Sequence, residues 1–260
     1  IQRHAQERIP AAGKLPSRSR SVQQSPYRMV GGVQLRETSP ILRIRDPLGV
    51  HLPTPPSVTY VPVQHREDIV NKKGVFAKLN DGGFEKEFNE RFLDLIKNLN
   101  YKICAVVLDK KSHLERYQKS AFHPYHYCAN VLLERYVFFL QENGGRGDVL
   151  AEARGKKEDH ALKEEYKRFF EIGTYFCKPA YIQQFLTSKE IKIKPKSKMF
   201  VGLEFADSLS LATKLDVLYS YGQLPTLDDN FCKVVVENIQ NKYRSSTNGQ
   251  TKGFGKKLIV

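Results

Sequence analysis

The chain has 260 residues, with 42 Lys and Arg against 28 Asp and Glu, a formal net charge of +14. This length suits one large domain or a domain with an appended arm, and the positive charge favours polyanionic partners, nucleic acid above all. No apolar run approaches the length of a membrane span and the N-terminus lacks the apolar centre of a signal peptide, so we expect a cytoplasmic protein with no membrane partner.

The four cysteines lie far apart, without the paired spacing of a zinc site or a disulfide framework. We expect buried or free thiols in a reducing compartment. They are Cys104, Cys128, Cys177 and Cys232.

Residues 1–57 differ in composition from everything after them. They contain eight of the 13 prolines, none of the 15 phenylalanines, and nine Lys or Arg against three acidic residues. A segment with so little aromatic surface to bury cannot offset its ordering entropy, so it is predicted to be a poorly ordered or loosely docked basic arm. Two short apolar runs within it, Val30–Leu35 and Ile41–Asp46, are candidate edge strands. Residues 58–260 are predicted to form an α/β domain.

The domain begins with a weak strand and a strong helix. Val58–Val63 is β-prone, and His65 follows it in an acidic loop, either as a metal ligand or as an ordinary surface side chain. In Phe84–Leu99 the apolar side chains recur at steps of three and four residues, which predicts an amphipathic helix packed on the core.

The segment Tyr101–Leu108 is apolar at almost every position, which is typical of a strand covered by helices on both faces. It ends at Asp109. A carboxylate at the end of a buried strand is held rigidly and is well placed to bind a metal ion, although a solvated end residue has the same sequence pattern.

The following segment, which includes His113 and Tyr117, is predicted to be a loop. Three interpretations of it remain open. His123 and His126 can ligate a metal, Tyr125 or Tyr127 can stack on a nucleobase, or these rings can form a lid over the core.

The next elements are predicted to be a helix, a short strand and another helix. The helices are Tyr125–Leu140 and Asp159–Phe170, and the strand is Asp148–Ala153, which carries a second strand-end acid, Glu152.

A basic segment comes next. Ile191–Pro195 alternates in polarity, which as a strand places its lysines on one exposed face. That face can follow a phosphate backbone or simply protect an edge strand from aggregation. The candidate nucleic-acid-binding residues are Lys192, Lys194, Lys196 and Lys198.

The C-terminal third contains two predicted helices, Val201–Tyr219 and Pro225–Asn241, and a Gly- and Lys-rich tail. The first helix is largely apolar but carries Glu204 and Asp207. An acid buried on such a helix costs several kcal/mol unless it is paired, protonated or bound to metal, so these two are functional candidates.

This order of elements predicts an α/β fold with a mixed or partly parallel central sheet flanked by helices. Asp109 and Glu152, at the ends of two neighbouring strands, and Asp207 on a late helix can then converge in one crevice. Three such carboxylates suit Mg²⁺ or Mn²⁺ and phosphoryl transfer to water. Nearby cations can balance charge on the scissile phosphate; they are Lys110, Arg154 and Lys156.

Five segments carry a resemblance to a known family. They are HREDIVNKKGVF (His65–Phe76), VLDK (Val107–Lys110), LLER (Leu132–Arg135), AEARGKKED (Ala151–Asp159), and the KSK and GLEFAD within Lys196–Asp207. In this order they resemble the bacterial and phage family called domain of unknown function 3800. The resemblance implies an RNase H-like fold and a metal-dependent nuclease site. It also implies acidic site positions at Asp109, Glu152, Asp159 and Asp207.

The sequence departs from that family at two places. Members usually begin with a strand bearing an Asp-Glu-Ser-Gly motif, which does not occur between Ile1 and Val63, where only Asp46 could substitute. Glu204 stands where the family commonly has glutamine. Two hypotheses follow: a Mg²⁺- or Mn²⁺-dependent nuclease, in which Asp109→Asn or Asp207→Asn abolishes cleavage, or a non-catalytic relative that binds nucleic acid or protein.

Overall fold

A computed structural model of the chain describes residues 27–35, 69, 71–118, 122–198 and 200–260. The strands are β1 (Tyr27–Leu35), β2 (Tyr101–Asp109), β3 (Leu150–Glu152), β4 (Lys192–Lys194) and β5 (Lys256–Ile259). The α-helices are α1 (Gly82–Asn98), α2 (Lys110–Tyr117), α3 (Pro124–Glu142), α4 (Lys156–Ile172), α5 (Pro179–Phe185), α6 (Val201–Ser220) and α7 (Phe231–Asn238). The expectations for Ile41–Asp46, Val58–Val63 and His65 lie outside the described residues.

The architecture is mixed α/β, as predicted, with its strands divided between two small sheets. One sheet has the order β1-β2-β5, in which β2 is antiparallel to β1 and parallel to β5. The other consists of the parallel pair β3 and β4. The expectation that the strands of Asp109 and Glu152 are neighbours is therefore wrong. The positions beside β2 are taken by β1 and by β5, which comes from the C-terminal tail.

Strand β2 is the centre of the molecule. Its side chains at Tyr101, Ile103, Ala105 and Val107 pack in a core that also includes residues of α1, α6 and α7. The alternate side chains Val106 and Leu108 pack with Cys128 of α3 on the opposite face. Because successive strand residues point to opposite sides, the continuous apolar run of this segment results from burial on both faces, as predicted.

Strand β1 lies inside the segment predicted to be a poorly ordered arm. Its backbone pairs with the whole of β2, from Tyr27 opposite Asp109 to Leu35 opposite Tyr101. The candidate edge strand Val30–Leu35 is thus confirmed, and it begins three residues earlier than predicted.

The helices differ from the prediction at their ends and at three short elements. The segment after Asp109 forms α2, where a loop was predicted; the Asp109 side chain caps its first turn, and its His113 is buried. Helix α4 begins at Lys156 rather than Asp159, α5 was not predicted, and α7 is shorter than the predicted helix. All four cysteines are buried and lie outside disulfides, as expected. Within the described ranges, no helix is long and apolar enough to cross a membrane.

A buried ion pair joins β5 to α6. The Lys256 Nζ lies 2.8 Å from Asp216 Oδ2, and both side chains are about 5% exposed or less. Lys256 also donates to Gln240 Oε1 at 2.9 Å, and the Gln240 amide donates to Asp216 Oδ2 at 3.0 Å. Both charges are therefore paired and hydrogen-bonded, the condition under which a buried ion pair is tolerated.

Breaking this pair from one side is expected to destabilise the fold. Asp216→Ala or Lys256→Met leaves an unpaired buried charge, which we expect to lower the free energy of unfolding by about 3–5 kcal/mol. The double variant Asp216→Leu/Lys256→Met is expected to recover most of that loss. Urea denaturation measures both effects.

Asp229→Ala is the matched control, because it breaks an exposed pair with Lys233 and should leave the unfolding midpoint nearly unchanged. If the single variants of Asp216 and Lys256 unfolded at the wild-type midpoint, the pair would not stabilise the fold as proposed.

Candidate functional site

The candidate site lies at the carboxyl ends of β3 and β4. Glu152 is the last residue of β3, and Lys194 is the last residue of β4, its parallel partner. The pairing continues one step further, where Ala153 N donates to the Lys194 carbonyl at 2.8 Å. In α/β proteins the crevice beyond the carboxyl ends of parallel strands is the usual place for a ligand.

One ammonium group holds two carboxylates together in this crevice. Lys196 follows β4 in a short 3-10 turn, Lys196–Lys198. Its Nζ lies 3.2 Å from Asp207 Oδ2 on α6 and 3.8 Å from Glu152 Oε2. The two carboxylate oxygens are thus within about 7 Å of each other. Two of the three predicted catalytic acids are brought together, and the lysine was predicted only as a phosphate-binding residue.

Exposure decides how strongly these charges interact. The Lys196 side chain is 15% exposed, whereas the Glu152 and Asp207 side chains are 34% and 36% exposed. The expectation that Asp207 is buried in an apolar helix is therefore wrong, since its carboxylate faces the crevice and is half-buried. Glu204 is the buried acid in the first turn of α6, and Asp216, which was not predicted, is the other buried acid of this helix.

Asp109 has a structural role at the start of α2. Its Oδ1 accepts from Lys111 N at 2.9 Å, and its Oδ2 accepts from the Ser112 hydroxyl at 2.8 Å. The bond from Lys111 N satisfies an orphan backbone donor in the first turn of the helix. Lys110, a predicted charge-balancing residue, is exposed at the first position of the same helix.

Arg154 and Asp159 follow β3 in the chain and are joined by a hydrogen bond. The Arg154 backbone N–H donates to Asp159 Oδ1 at 2.8 Å, and its guanidinium carbon lies 4.9 Å from the centre of the Tyr125 ring. Gly155 between them adopts φ +130°, in the region that favours glycine, and is the N-cap residue of α4. Asp159, predicted as an acidic site position, thus fixes the backbone, while Tyr125 positions an exposed cation.

The four candidate nucleic-acid-binding lysines, Lys192, Lys194, Lys196 and Lys198, are only partly available to bind phosphate. Lys192 pairs with Asp148. Burial raises the pKa of the Asp148 carboxyl, and the hydrogen bonds from Lys192 and Thr187 outweigh that effect, so the pKa lies below its ordinary value. The Lys194 ammonium lies 5.5 Å from the centre of the Phe200 ring. Lys196 is paired, and Lys198 is exposed.

The two predicted histidine ligands lie side by side at the start of α3. The rings of His123 and His126 have their centres 4.7 Å apart. Burial and the charge of His123 lower the pKa of His126 below its ordinary value. In the part of the chain that the structure describes, no three His, Cys, Asp or Glu side chains gather as a metal-binding group.

The donor set of the crevice suits one hard cation better than two. Mg²⁺ is commonly held by one or two carboxylates, with water and substrate phosphate completing its shell. Glu152 and Asp207 would be two carboxylates of this kind if the Lys196 ammonium were absent. A two-metal site needs further carboxylates at the same point.

Comparison with known proteins gives no relative for this chain: no protein-family model, curated protein or solved structure matches it.

Removing the Lys196 ammonium is expected to create a cation site. In Lys196→Met the two carboxylates lose their shared partner, so Mg²⁺ should raise the melting temperature of the variant more than that of the wild type, because a ligand bound only to the native state stabilises it. Lys198→Met is the matched control, since Lys198 is an exposed lysine of the same turn. Equal Mg²⁺ responses of the two variants, measured by thermal unfolding, would rule out competition between lysine and metal.

Proposed function

We propose that the chain binds nucleic acid and hydrolyses its phosphodiester bonds with Mg²⁺ or Mn²⁺, on a scaffold of RNase H-like fold. The observation that carries the proposal is the approach of Glu152 and Asp207 to one ammonium group at the carboxyl end of a parallel strand pair. Two carboxylates that already share a cation in such a crevice have the charge and donor atoms that a divalent ion requires.

Charge and sequence resemblance support the choice of substrate. The net charge of +14 attracts polyanions through long-range electrostatics and counterion release. The resemblance to domain of unknown function 3800 supports phosphodiester hydrolysis in particular. The mixed α/β architecture is compatible with an RNase H-like fold, which remains part of the proposal.

The side chains have separate roles in this proposal. Glu152 and Asp207 bind the metal, and Lys196 is released to pair with the scissile phosphate. A divalent ion held by these two carboxylates would supply Lewis-acid chemistry, polarising a phosphoryl oxygen and lowering the pKa of a coordinated water. Arg154, held over the Tyr125 ring at an exposed position, supplies a second cation for the substrate backbone.

The same lysine supports a second candidate function, nucleic-acid binding without cleavage. Its ammonium is shared by both carboxylates, and the oxygens of Asp109 are engaged by the first turn of α2. A chain that keeps this arrangement on binding nucleic acid retains the basic surface but does not recruit metal.

A cleavage assay distinguishes the two functions. With Mn²⁺ or Mg²⁺ the wild type is expected to cut single- or double-stranded oligonucleotides, and Glu152→Gln and Asp207→Asn are expected to reduce the rate to background, because each removes a charged metal ligand. Excess chelator should have the same effect. Cleavage that persists in both variants or in chelator would refute a metal site at these carboxylates.

Asp109→Asn is the informative comparison, because asparagine caps helices about as well as aspartate. Wild-type cleavage by this variant would assign Asp109 to the fold. Loss of cleavage with an unchanged melting temperature would add Asp109 to the metal ligands, as the family resemblance implies.

A further inference from the structure

Residues 173–178, here called the aromatic loop, connect α4 to α5 and present large apolar side chains to solvent. Tyr175 is 94% exposed and Phe176 is 71% exposed, while Ile172 at the end of α4 is 68% exposed. The two rings contact each other edge to face, with centres 5.0 Å apart. Single exposed apolar residues are ordinary, but three within five residues indicate an interaction site.

The backbone of the aromatic loop is closed by its own hydrogen bonds. Thr174 N donates to the Cys177 carbonyl at 2.8 Å, and Cys177 N donates to Thr174 Oγ1 at 3.1 Å. Gly173 adopts φ +81°, and a Cβ there would lie 2.3 Å from the Cys177 carbonyl oxygen. Only glycine therefore fits this turn.

A buried carboxyl group on α3 holds the aromatic loop in place. The Thr174 hydroxyl donates to Glu134 Oε1 on α3, and Glu134 is 9% exposed. Burial raises the pKa of Glu134, and the hydrogen bond from Thr174 partly opposes that shift. Cys177 is fully buried in the core formed with α3, α4 and α5. The exposed rings thus stand on a fixed base, so a ligand that contacts them does not have to order the loop.

We propose that the aromatic loop stacks on the bases of single-stranded nucleic acid. Aromatic rings stack on every base because each base has a π-face, and unpaired bases are free to make this contact. The exposed Lys178 adjoins the rings and supplies a cation for the backbone. The inference takes its ligand class from the proposed function. It concerns a separate site, because the 17 residues of α4, about 25 Å of helix, separate the loop from the crevice at Glu152.

Area and charge argue against a second copy of the chain as the occupant. Two aromatic side chains bury about 150–250 Å² each, and with Ile172 they fall short of the roughly 800 Å² per partner of a standard protein interface. Two copies, each with a net charge of +14, also repel one another.

The absence of tryptophan from the sequence allows a clean test. In Tyr175→Trp the only tryptophan lies on the loop, and oligo(dT) in chelator should quench its fluorescence, whereas an abasic oligodeoxynucleotide with the same phosphates should not. Tyr175→Ala and Phe176→Ala should each weaken oligo(dT) binding about 5- to 150-fold, corresponding to about 1–3 kcal/mol per stacked base. Binding of the abasic probe should be unchanged. Tyr219→Ala, at a 48% exposed tyrosine of α6, is the control and should bind like the wild type.

Equal quenching by the two probes, or oligo(dT) affinity unchanged in both alanine variants, would overturn the stacking proposal. A variant that changes the oligomeric state in sedimentation but not oligo(dT) affinity would assign the loop to a protein contact instead. Because binding is measured without metal, its outcome is independent of cleavage. If binding depends on the aromatic loop but no cleavage occurs, only the hydrolytic function is refuted. If cleavage occurs but binding does not depend on the loop, only the stacking role is refuted.

Discussion

The shared ammonium of Lys196 is the interaction on which the candidate site depends. It draws together a carboxylate from the end of β3 and one from α6, two elements that belong to different parts of the chain. Two carboxylates this close repel each other unless a cation lies between them, so the position of the cation is built into the fold. A lysine occupies it with one charge, and a divalent ion can occupy it with two. In the proposed function, this competition decides between hydrolysis of nucleic acid and binding without cleavage.

The scaffold holds these elements in place through burial and one ionic contact. Strand β2 is covered on both faces, so α6 on one side and α3 on the other are fixed relative to the same strand. The buried pair of Lys256 and Asp216 then attaches the C-terminal strand to α6. The helix that carries Asp207 is therefore anchored at its far end, which limits how far its carboxylate can move from Glu152.

The secondary-structure elements that depend on neighbouring residues could be predicted from the sequence. The elements and contacts that depend on tertiary packing could not. Strand β2 and helices α1, α3 and α6 have apolar periodicity that can be recognised in the sequence. Strand β5 was not predicted, because Gly and Lys surround it in the sequence. The burial of its Lys256 depends on Asp216, a partner that no sequence spacing indicates. Helix α2 has little apolar periodicity; it is capped by Asp109 and buries His113 in the folded chain. Glu152, Asp207 and Lys196 were each identified, but their contact required the folded chain.

Paramagnetic NMR can locate a cation bound between Glu152 and Asp207 without relying on activity. Mn²⁺ added in small amounts to ¹⁵N-labelled protein broadens the amide signals nearest the ion. We expect the signals of Glu152, Lys196 and Asp207 to broaden first, and to broaden at lower Mn²⁺ in Lys196→Met. Signals of these residues that stay sharp while those of His123 and His126 disappear would contradict this expectation.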